Sequence, residues 1–375
     1  MESYTYKNPY YDYDYDEESS EREGTSEQDS AEEGSERESD QDITDLTLEN
    51  LKIVVEEIDD YSQDGIVGKC PTYLGMKNKE SFMIATKGFR LFEDGYQVSS
   101  GLLPNKSRIR EIAYNPYFNC YFISSFDKLY KKTIDNKPLF PFLGINCGGR
   151  CLISSHLHQR LFIKRDFETI TMINLKTKKI ELKLEKTIGD KIIDFRMFGD
   201  KDNRFVCLTK DGYVILYGLD YAKKRGVTSH LELDLIEFRQ EKLLTLELCD
   251  KKEYALIEIA TAPDYSSRMV VLKLTQDGLT KMEELDHYRQ YHGLQYTLGC
   301  LGYFGSHILW VGLTFDRQLH VYDYDIEANE LKELADFRTS YEEFAAYHLH
   351  RIGNKFYYTG NDGKLMRLSL RSNDK

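Results

Sequence analysis

Two pairs of histidines have the spacing of a metal site carried on a β-strand. His156 and His158, and likewise His348 and His350, stand two positions apart, so in a strand both imidazoles of a pair point to the same side of the sheet. A zinc site would need further ligands such as cysteine or a carboxylate, and the neighbouring sequence supplies none. We therefore interpret the four histidines as hydrogen-bonded packing residues and predict no metal site.

The seven cysteines do not form a pattern typical of a catalytic or metal-binding centre. Cys147 and Cys151 are separated by three residues, not by the two of a zinc knuckle or redox pair, and the glycines between them favour a turn. Most of the other cysteines lie in apolar runs, as the buried, reduced thiols of a cytosolic or nuclear protein do.

Common catalytic and phosphate-binding motifs are absent from the sequence. Neither Gly-x-Ser-x-Gly nor Gly-x-x-x-x-Gly-Lys-Ser/Thr occurs, and no glycine-rich run leads from a strand into a helix. We predict no catalytic residue, no cofactor and no enzyme activity.

Two predicted loops have the composition of a protein interface. One lies in an enlarged hairpin and the other connects two later hairpins. Arginine, tyrosine and histidine supply large contact areas and directional hydrogen bonds, and such residues often anchor protein complexes. The alternative is that both loops are ordinary solvated connections. The candidate partner-binding residues are Tyr265, Arg268, His287, Tyr288, Arg289, Tyr291 and His292.

A series of β-hairpins carries these loops. In the clearest one, the apolar runs Phe205 to Leu208 and Tyr213 to Tyr217 flank Asp211-Gly212, a strong hairpin signal because glycine accepts positive φ. Similar hairpins recur every 39 to 53 residues, the length of a four-stranded propeller blade. Their turns lie at Lys87, Asp127, Asp166, Asp211, Asp264, Asp316 and Asp362.

The two ends of the chain supply the last unit together. Each hairpin has an inner strand before it, and most have an outer strand after it, but the chain ends just after Leu370 and leaves the seventh unit one strand short. Residues 46–58 form a spare strand that would complete this unit and close the ring. An amphipathic helix over 43–58 is the competing interpretation.

The sequence resembles the WD-repeat propeller family over residues 46–370. The resemblance depends on the repeat length, the completion of the last unit and five turn aspartates, Asp127, Asp166, Asp211, Asp316 and Asp362. No unit ends in Trp-Asp, Trp310 falls in a second strand, and only His292 stands where the family places a histidine before an inner strand. The resemblance implies an all-β, seven-bladed propeller that serves as a protein-binding platform.

Residues 1–45 differ from the rest in charge. They carry 17 acidic and three basic side chains, a net charge of −14, whereas the remainder has a net charge of +1. Residues 17–42 contain no Val, Leu, Ile or Phe, so we expect this acidic tail to be disordered. An acidic residue follows three positions after each candidate phosphorylation site, which suits an acidophilic kinase. These sites are Ser20, Ser26, Ser30, Ser35 and Ser39.

These observations predict a closed propeller over 46–370, an acidic tail over 1–45 and a short C-terminal tail over 371–375. The function expected is a non-catalytic, WD-repeat-like scaffold subunit of a cytoplasmic or nuclear complex. One alternative is an escort chaperone that binds a basic client, such as a histone or ribosomal protein, through residues 1–45; a second is a propeller enzyme with a site lining its channel. No secretory signal, membrane span or broad basic excess is evident, so we expect neither membrane nor direct nucleic-acid binding.

Overall fold

The computed structural model shows a ring of β-sheets. It describes residues 51–61, 73–85, 88–103, 109–125, 128–135, 137–143, 152–155, 159–165, 169–185, 192–198, 203–209, 212–220, 225–235, 241–249, 253–261, 267–275, 278–287, 297–313, 319–334, 349–352, 355–359 and 364–372. These residues belong to one unit, 42–375, and form seven four-stranded sheets. None of them forms a helix long and apolar enough to span a membrane. The predicted all-β, seven-bladed propeller is confirmed, whereas the acidic tail and the five turn aspartates lie outside the described residues.

Each sheet is one blade, and its strands pair antiparallel in chain order. Blade 1 contains β2 (Tyr73–Met76), β3 (Phe82–Ala85), β4 (Gly88–Glu93) and β5 (Tyr96–Leu102), and blade 2 contains β6 (Ile109–Asn115), β7 (Cys120–Ser125), β8 (Leu129–Thr133) and β9 (Phe140–Leu143). Blade 3 contains β10 (Leu152–Ser155), β11 (Arg160–Arg165), β12 (Thr169–Asn174) and β13 (Lys179–Glu185). Blade 4 contains β14 (Ile192–Phe198), β15 (Arg204–Thr209), β16 (Tyr213–Asp220) and β17 (Arg225–Asp234). Blade 5 contains β18 (Glu241–Cys249), β19 (Tyr254–Thr261), β20 (Ser267–Leu274) and β21 (Leu279–His287). Blade 6 contains β22 (Thr297–Phe304), β23 (His307–Leu313), β24 (Leu319–Asp325) and β25 (Glu330–Glu333). Blade 7 contains β26 (His350–Ile352), β27 (Lys355–Thr359), β28 (Lys364–Ser372) and, from the other end of the chain, β1 (Leu51–Asp60).

The β15–β16 hairpin shows why the sequence pattern forms strands. Its turn contains Gly212 with φ of 98°, which glycine adopts without a Cβ clash. The Gly212 amide donates to the Thr209 carbonyl at 3.2 Å, and the Tyr213 amide donates to the Thr209 hydroxyl at 3.0 Å. The two apolar runs are then in register, with Phe205 opposite Tyr217. The Asp-Gly turn signal in the sequence therefore predicts the β15–β16 hairpin that the structure shows.

β1 closes the ring by pairing with β28 from Leu51 opposite Ser372 onward. Between the two strands, Glu56 accepts hydrogen bonds from Arg367 Nε at 3.0 Å and from Arg371 Nη2 at 2.8 Å. Burial raises the pKa of Glu56, but the hydrogen bond and charge of Arg367, with Arg371 adding to them, outweigh it and leave the pKa below its usual value. The predicted closure is confirmed and includes charge pairs across the seam.

The hydrophobic core lies between neighbouring blades. The apolar face of β1, with Ile53 and Val55, packs with residues of blades 6 and 7 in one buried cluster. Between blades 3 and 4, the rings of Phe162 and Phe205 lie 4.7 Å apart, and both residues are buried. Because each blade buries both of its faces against its neighbours, strands in the middle of a blade are apolar on both sides.

The first strands of neighbouring blades pack against one another and therefore lie innermost. The approach is close where β2 meets β6, because a Cβ atom added at Gly75 would lie 2.4 Å from Ile112 Cγ2 and 3.0 Å from Ile112 Cβ. Only glycine fits this position without displacing its neighbour.

The two faces of the ring carry different turns. Because the four strands of a blade alternate in direction, the turns from first to second strand and from third to fourth strand lie on the same face, which we call the lower face. All six non-glycine residues with positive φ among those described lie in these turns, as expected for tight connections that end in a left-handed residue. They are Asp94, Asn119, Gln159, Lys178, Glu253 and Asn329.

Candidate interaction surface on the outer rim

Arg268, one of the predicted partner-binding residues, is buried between blades 4 and 5. Its Nη2 atom donates to the Leu235 carbonyl at 2.7 Å, and its Nη1 atom donates to Glu284 Oε2 at 2.7 Å. Hydrogen bonding to Lys281 lowers the pKa of Glu284, burial opposes this, and Arg268 lowers it further. The guanidinium of Arg268 therefore makes hydrogen bonds within the propeller.

The other loop candidates do not come together with Arg268 in the described part of the chain. His287 ends β21, and only its backbone is described. That these residues bind a partner stays a prediction, as does phosphorylation of the five tail serines. Outside the described residues lie Tyr265, Tyr288, Arg289, Tyr291, His292, Ser20, Ser26, Ser30, Ser35 and Ser39.

His350 is the one member of the two histidine pairs that the structure describes. It begins the inner strand β26, and burial lowers its pKa to about 4, partly offset by a hydrogen bond to the backbone of Leu74 in blade 1. The imidazole is therefore neutral near pH 7 and joins blade 7 to blade 1. Within the described residues, no three His, Cys, Asp or Glu side chains come together in a way that would hold a metal ion.

The described cysteines are buried, free thiols: Cys120, Cys207, Cys249 and Cys300. Burial raises the pKa of Cys120 to about 11 and that of Cys207 well above its usual value. Both therefore stay protonated near neutral pH and are poor nucleophiles.

Asp194, a buried acid on an inner strand, is held by hydrogen bonds. Its Oδ1 atom accepts from the Phe195 amide at 2.9 Å and from Arg196 Nη1 at 2.6 Å, and its Oδ2 atom accepts from the Leu246 amide of blade 5 at 3.4 Å. Arg196 also lies 3.5 Å from Glu247. The carboxylate of Asp194 therefore links blades 4 and 5.

Lys132 is a fully buried lysine in β8. Its Nζ atom donates to the backbone carbonyls of Thr133 at 3.0 Å, Asp135 at 2.7 Å and Lys137 at 2.9 Å. Burial lowers its pKa, while Asp135 opposes the change. Because all three ammonium hydrogens have carbonyl acceptors, Lys132 fixes the turn that follows β8 and is not placed to act as a nucleophile.

In the described part of the chain, large exposed apolar side chains occur on four consecutive blades of the seven. Blades 7, 1, 2 and 3 carry all the large hydrophobic side chains that are exposed in the described part of the chain, namely Ile58, Tyr96, Leu102, Tyr117, Phe140 and Ile180. Tyr96 (77% exposed), Tyr117 (58%), Phe140 (51%) and Ile180 (40%) lie at the lower face of blades 1 to 3. Contiguous exposed apolar groups mark interaction sites more often than isolated ones do.

Between blades 2 and 3 these apolar groups join two lysines in what we call the aromatic–lysine rim, which consists of Tyr117, Phe118, Lys131, Phe140, Phe142 and Lys178. The rings of Tyr117 and Phe118 meet edge to face at 4.8 Å. Lys131, which pairs with Phe140 across β8 and β9, places its Nζ atom 5.2 Å from the centre of the Phe118 ring. Lys178 of blade 3 places its Nζ atom 5.7 Å from the centre of the Phe142 ring.

Comparisons with known proteins add no family to this description. No protein-family model matches the chain, and no curated protein matches it.

The aromatic–lysine rim was not predicted from the sequence. A signal was present in Pro116-Tyr117-Phe118-Asn119, the short turn between β6 and β7. Two adjacent large aromatic residues are unusual in a tight turn, where Gly, Pro, Asn, Asp and Ser dominate.

Proposed function

We propose that this chain is a non-catalytic, WD-repeat-like protein-interaction subunit of an intracellular complex. The observation that carries this proposal is the set of exposed apolar side chains at the lower face of blades 1, 2 and 3, namely Tyr96, Tyr117, Phe140 and Ile180. Propellers present a rigid rim and many short turns, which suits recognition of other proteins. The buried Asp194, Lys132 and Arg268 have internal partners, which favours binding over catalysis.

Affinity purification of variant pairs tests this proposal. Tyr96→Ser and Phe140→Ser each remove an exposed apolar group from the lower rim, while Lys273→Ser changes an exposed side chain of blade 5. We expect at least one partner to co-purify with the wild type and the Lys273 variant but to be depleted by a rim variant. If every partner is retained by both rim variants, the exposed apolar rim is not the interaction surface. A partner-free chain that turns over a substrate would contradict the proposal itself.

Escort of a basic client is a second candidate function, and the net charge of −14 in residues 1–45 favours it. Electrostatic attraction of this kind weakens as salt rises. Deleting residues 1–45 should then abolish co-purification of a histone or ribosomal protein at moderate salt. Phosphorylation of the tail serines would strengthen capture by adding negative charge. Equal recovery of the client without the tail would eliminate this function and leave the scaffold proposal intact.

A further inference from the structure

The aromatic–lysine rim holds two cations that have no ion-pair partner in the part of the chain that the structure describes. Lys131 and Lys178 lie over the faces of Phe118 and Phe142, and no carboxylate among the described residues lies within ion-pair distance of either ammonium. A cation over a ring is held by the quadrupole of the ring, and its N–H groups stay available. Both lysines are therefore positioned to donate to an acidic ligand.

The same surface offers apolar contacts beside the two charges. Tyr117 and Phe140 are 58% and 51% exposed and flank the Phe118–Lys131 pair through ring contact and strand pairing. Aromatic side chains that are rigid and partly exposed contribute most of the energy in many protein interfaces. The rim thus combines positive charge and apolar area on strands and turns of blades 2 and 3.

The outer strand at this place does not favour sheet extension. β9 has only four residues and contains Pro141, which has no amide hydrogen to offer to an added strand. Side chains and turns of blades 2 and 3 therefore offer better contacts to a ligand than the backbone of β9 does.

We propose that the aromatic–lysine rim binds an extended acidic segment of a partner protein, in which carboxylates alternate with aromatic or aliphatic side chains. The carboxylates pair with Lys131 and Lys178, and the apolar side chains cover Phe140 and Tyr117. This inference rests on the proposed scaffold function and specifies one of its binding surfaces.

A protein ligand fits this surface better than a nucleic acid does. Outside residues 1–45 the chain has a net charge of only +1, which gives little of the long-range attraction that phosphate backbones require. The lysine ammoniums also lie over Phe118 and Phe142, the rings that would stack bases in a single-strand site.

Fluorescence anisotropy with the full-length chain tests the proposal directly. The probe is a labelled synthetic peptide that alternates aspartate with tyrosine and leucine. One matched peptide has every aspartate replaced by asparagine, and another has tyrosine and leucine replaced by serine. The Lys131→Gln/Lys178→Gln double variant removes both charges, and Phe140→Ser removes an apolar contact.

Each control variant makes the same type of substitution as a rim variant, but at a position away from the aromatic–lysine rim. Lys273→Gln removes an exposed lysine that also lies over a ring, 5.9 Å from the centre of Tyr254 in blade 5. Leu102→Ser removes an exposed apolar side chain near the opposite face of blade 1. Circular dichroism of every variant verifies that the ring is folded.

We expect the acidic probe to bind, with affinity that falls as salt rises. The lysine double variant should weaken binding by about tenfold or more, and Phe140→Ser should do so by about tenfold. Both controls should stay within about twofold of the wild type, as surface substitutions away from a site do. Both altered peptides should bind more weakly than the acidic probe.

Three results would overturn the inference: absence of probe binding, equal loss in the rim and control variants, or displacement of the probe by a single-stranded uridine oligonucleotide. The last result would identify a nucleic-acid site instead. Because partner co-purification is measured independently, failure of the peptide to bind leaves the scaffold proposal to be judged by its own experiment.

Discussion

Substituting Ile53 with alanine tests whether packing of β1 contributes to the free energy of unfolding of the closed ring. Ile53 is 7% exposed, stands opposite Leu370 and packs in the cluster between blades 6 and 7. Ile→Ala substitutions in cores cost about 2–5 kcal/mol, from lost transfer energy and the cavity left behind. Because β1 is an outer strand and its surroundings can partly relax, we expect the lower part of this range, about 2–3 kcal/mol.

Urea denaturation measures this loss through two signals. Far-UV circular dichroism follows the sheets, and fluorescence follows the single tryptophan, Trp310, which is buried in blade 6. Coincident transitions would justify a two-state free energy of unfolding. Lys52→Ala is the matched control, since Lys52 precedes Ile53 in the strand and is exposed, and we expect it to change stability by about 0.5 kcal/mol or less. Equal unfolding midpoints for the two variants would refute the view that burial of β1 stabilises the closed ring.

Three further predictions concern buried groups. Lys132→Met removes the donor shared by three carbonyls and should destabilise the fold by about 3 kcal/mol, whereas Lys131→Met, its neighbour in β8, should change the melting temperature little; similar melting temperatures would contradict the assigned role. Because the pKa of His350 is lowered to about 4 in the fold, the unfolded chain takes up the proton first as pH falls from about 6.5. Stability should decline between these two pH values, and urea titrations should show a shallower decline for His350→Gln; an unchanged slope would exclude His350 as the cause. Gly75→Ala forces a Cβ atom against Ile112 and should lower the free energy of unfolding by about 1–3 kcal/mol. An unchanged unfolding midpoint would show that Ile112 moves aside without cost and that the contact between β2 and β6 does not require glycine.

The fold could be predicted because its sequence signals are local, as in the hairpin turns, or follow from counting the strands in each repeating unit. The turn at Gly212 needs a residue that accepts positive φ, and the flanking runs pair without help from the rest of the chain. A seventh unit short of one strand implied that the missing strand comes from the front of the chain. The described strand is 51–60, whereas the prediction was 46–58. The strand continues past the predicted end because Asp59 and Asp60, a residue type uncommon in strands, still pair with β28, opposite Leu365 and Lys364. Residues 46–50 lie outside the described part of the chain.

The candidate surface was harder to predict because exposure depends on neighbours that are distant in sequence. Arginine is common in protein interfaces, yet the side chain of Arg268 is buried because it donates a hydrogen bond to the carbonyl of Leu235, 33 positions away. Phe140 looks like a core residue of a strand, yet it lies on the outer strand of blade 2, where no further strand covers it. Residue type alone does not distinguish these two positions, since the order of strands within a blade decides which is covered.

Pairing between the first and last strands also constrains how the protein is made. Glu56 and Arg367 are 311 residues apart, and ribosomes add about 5–20 residues per second, so β1 emerges on the order of tens of seconds before its partner exists. Through that interval Ile53 and Val55 lack their strand partners Leu370 and Leu368, and one face of the most recently made blade is uncovered. Closure of the ring therefore cannot precede synthesis of β28, and the closed form appears only after the strand farthest from β1 in sequence has been made.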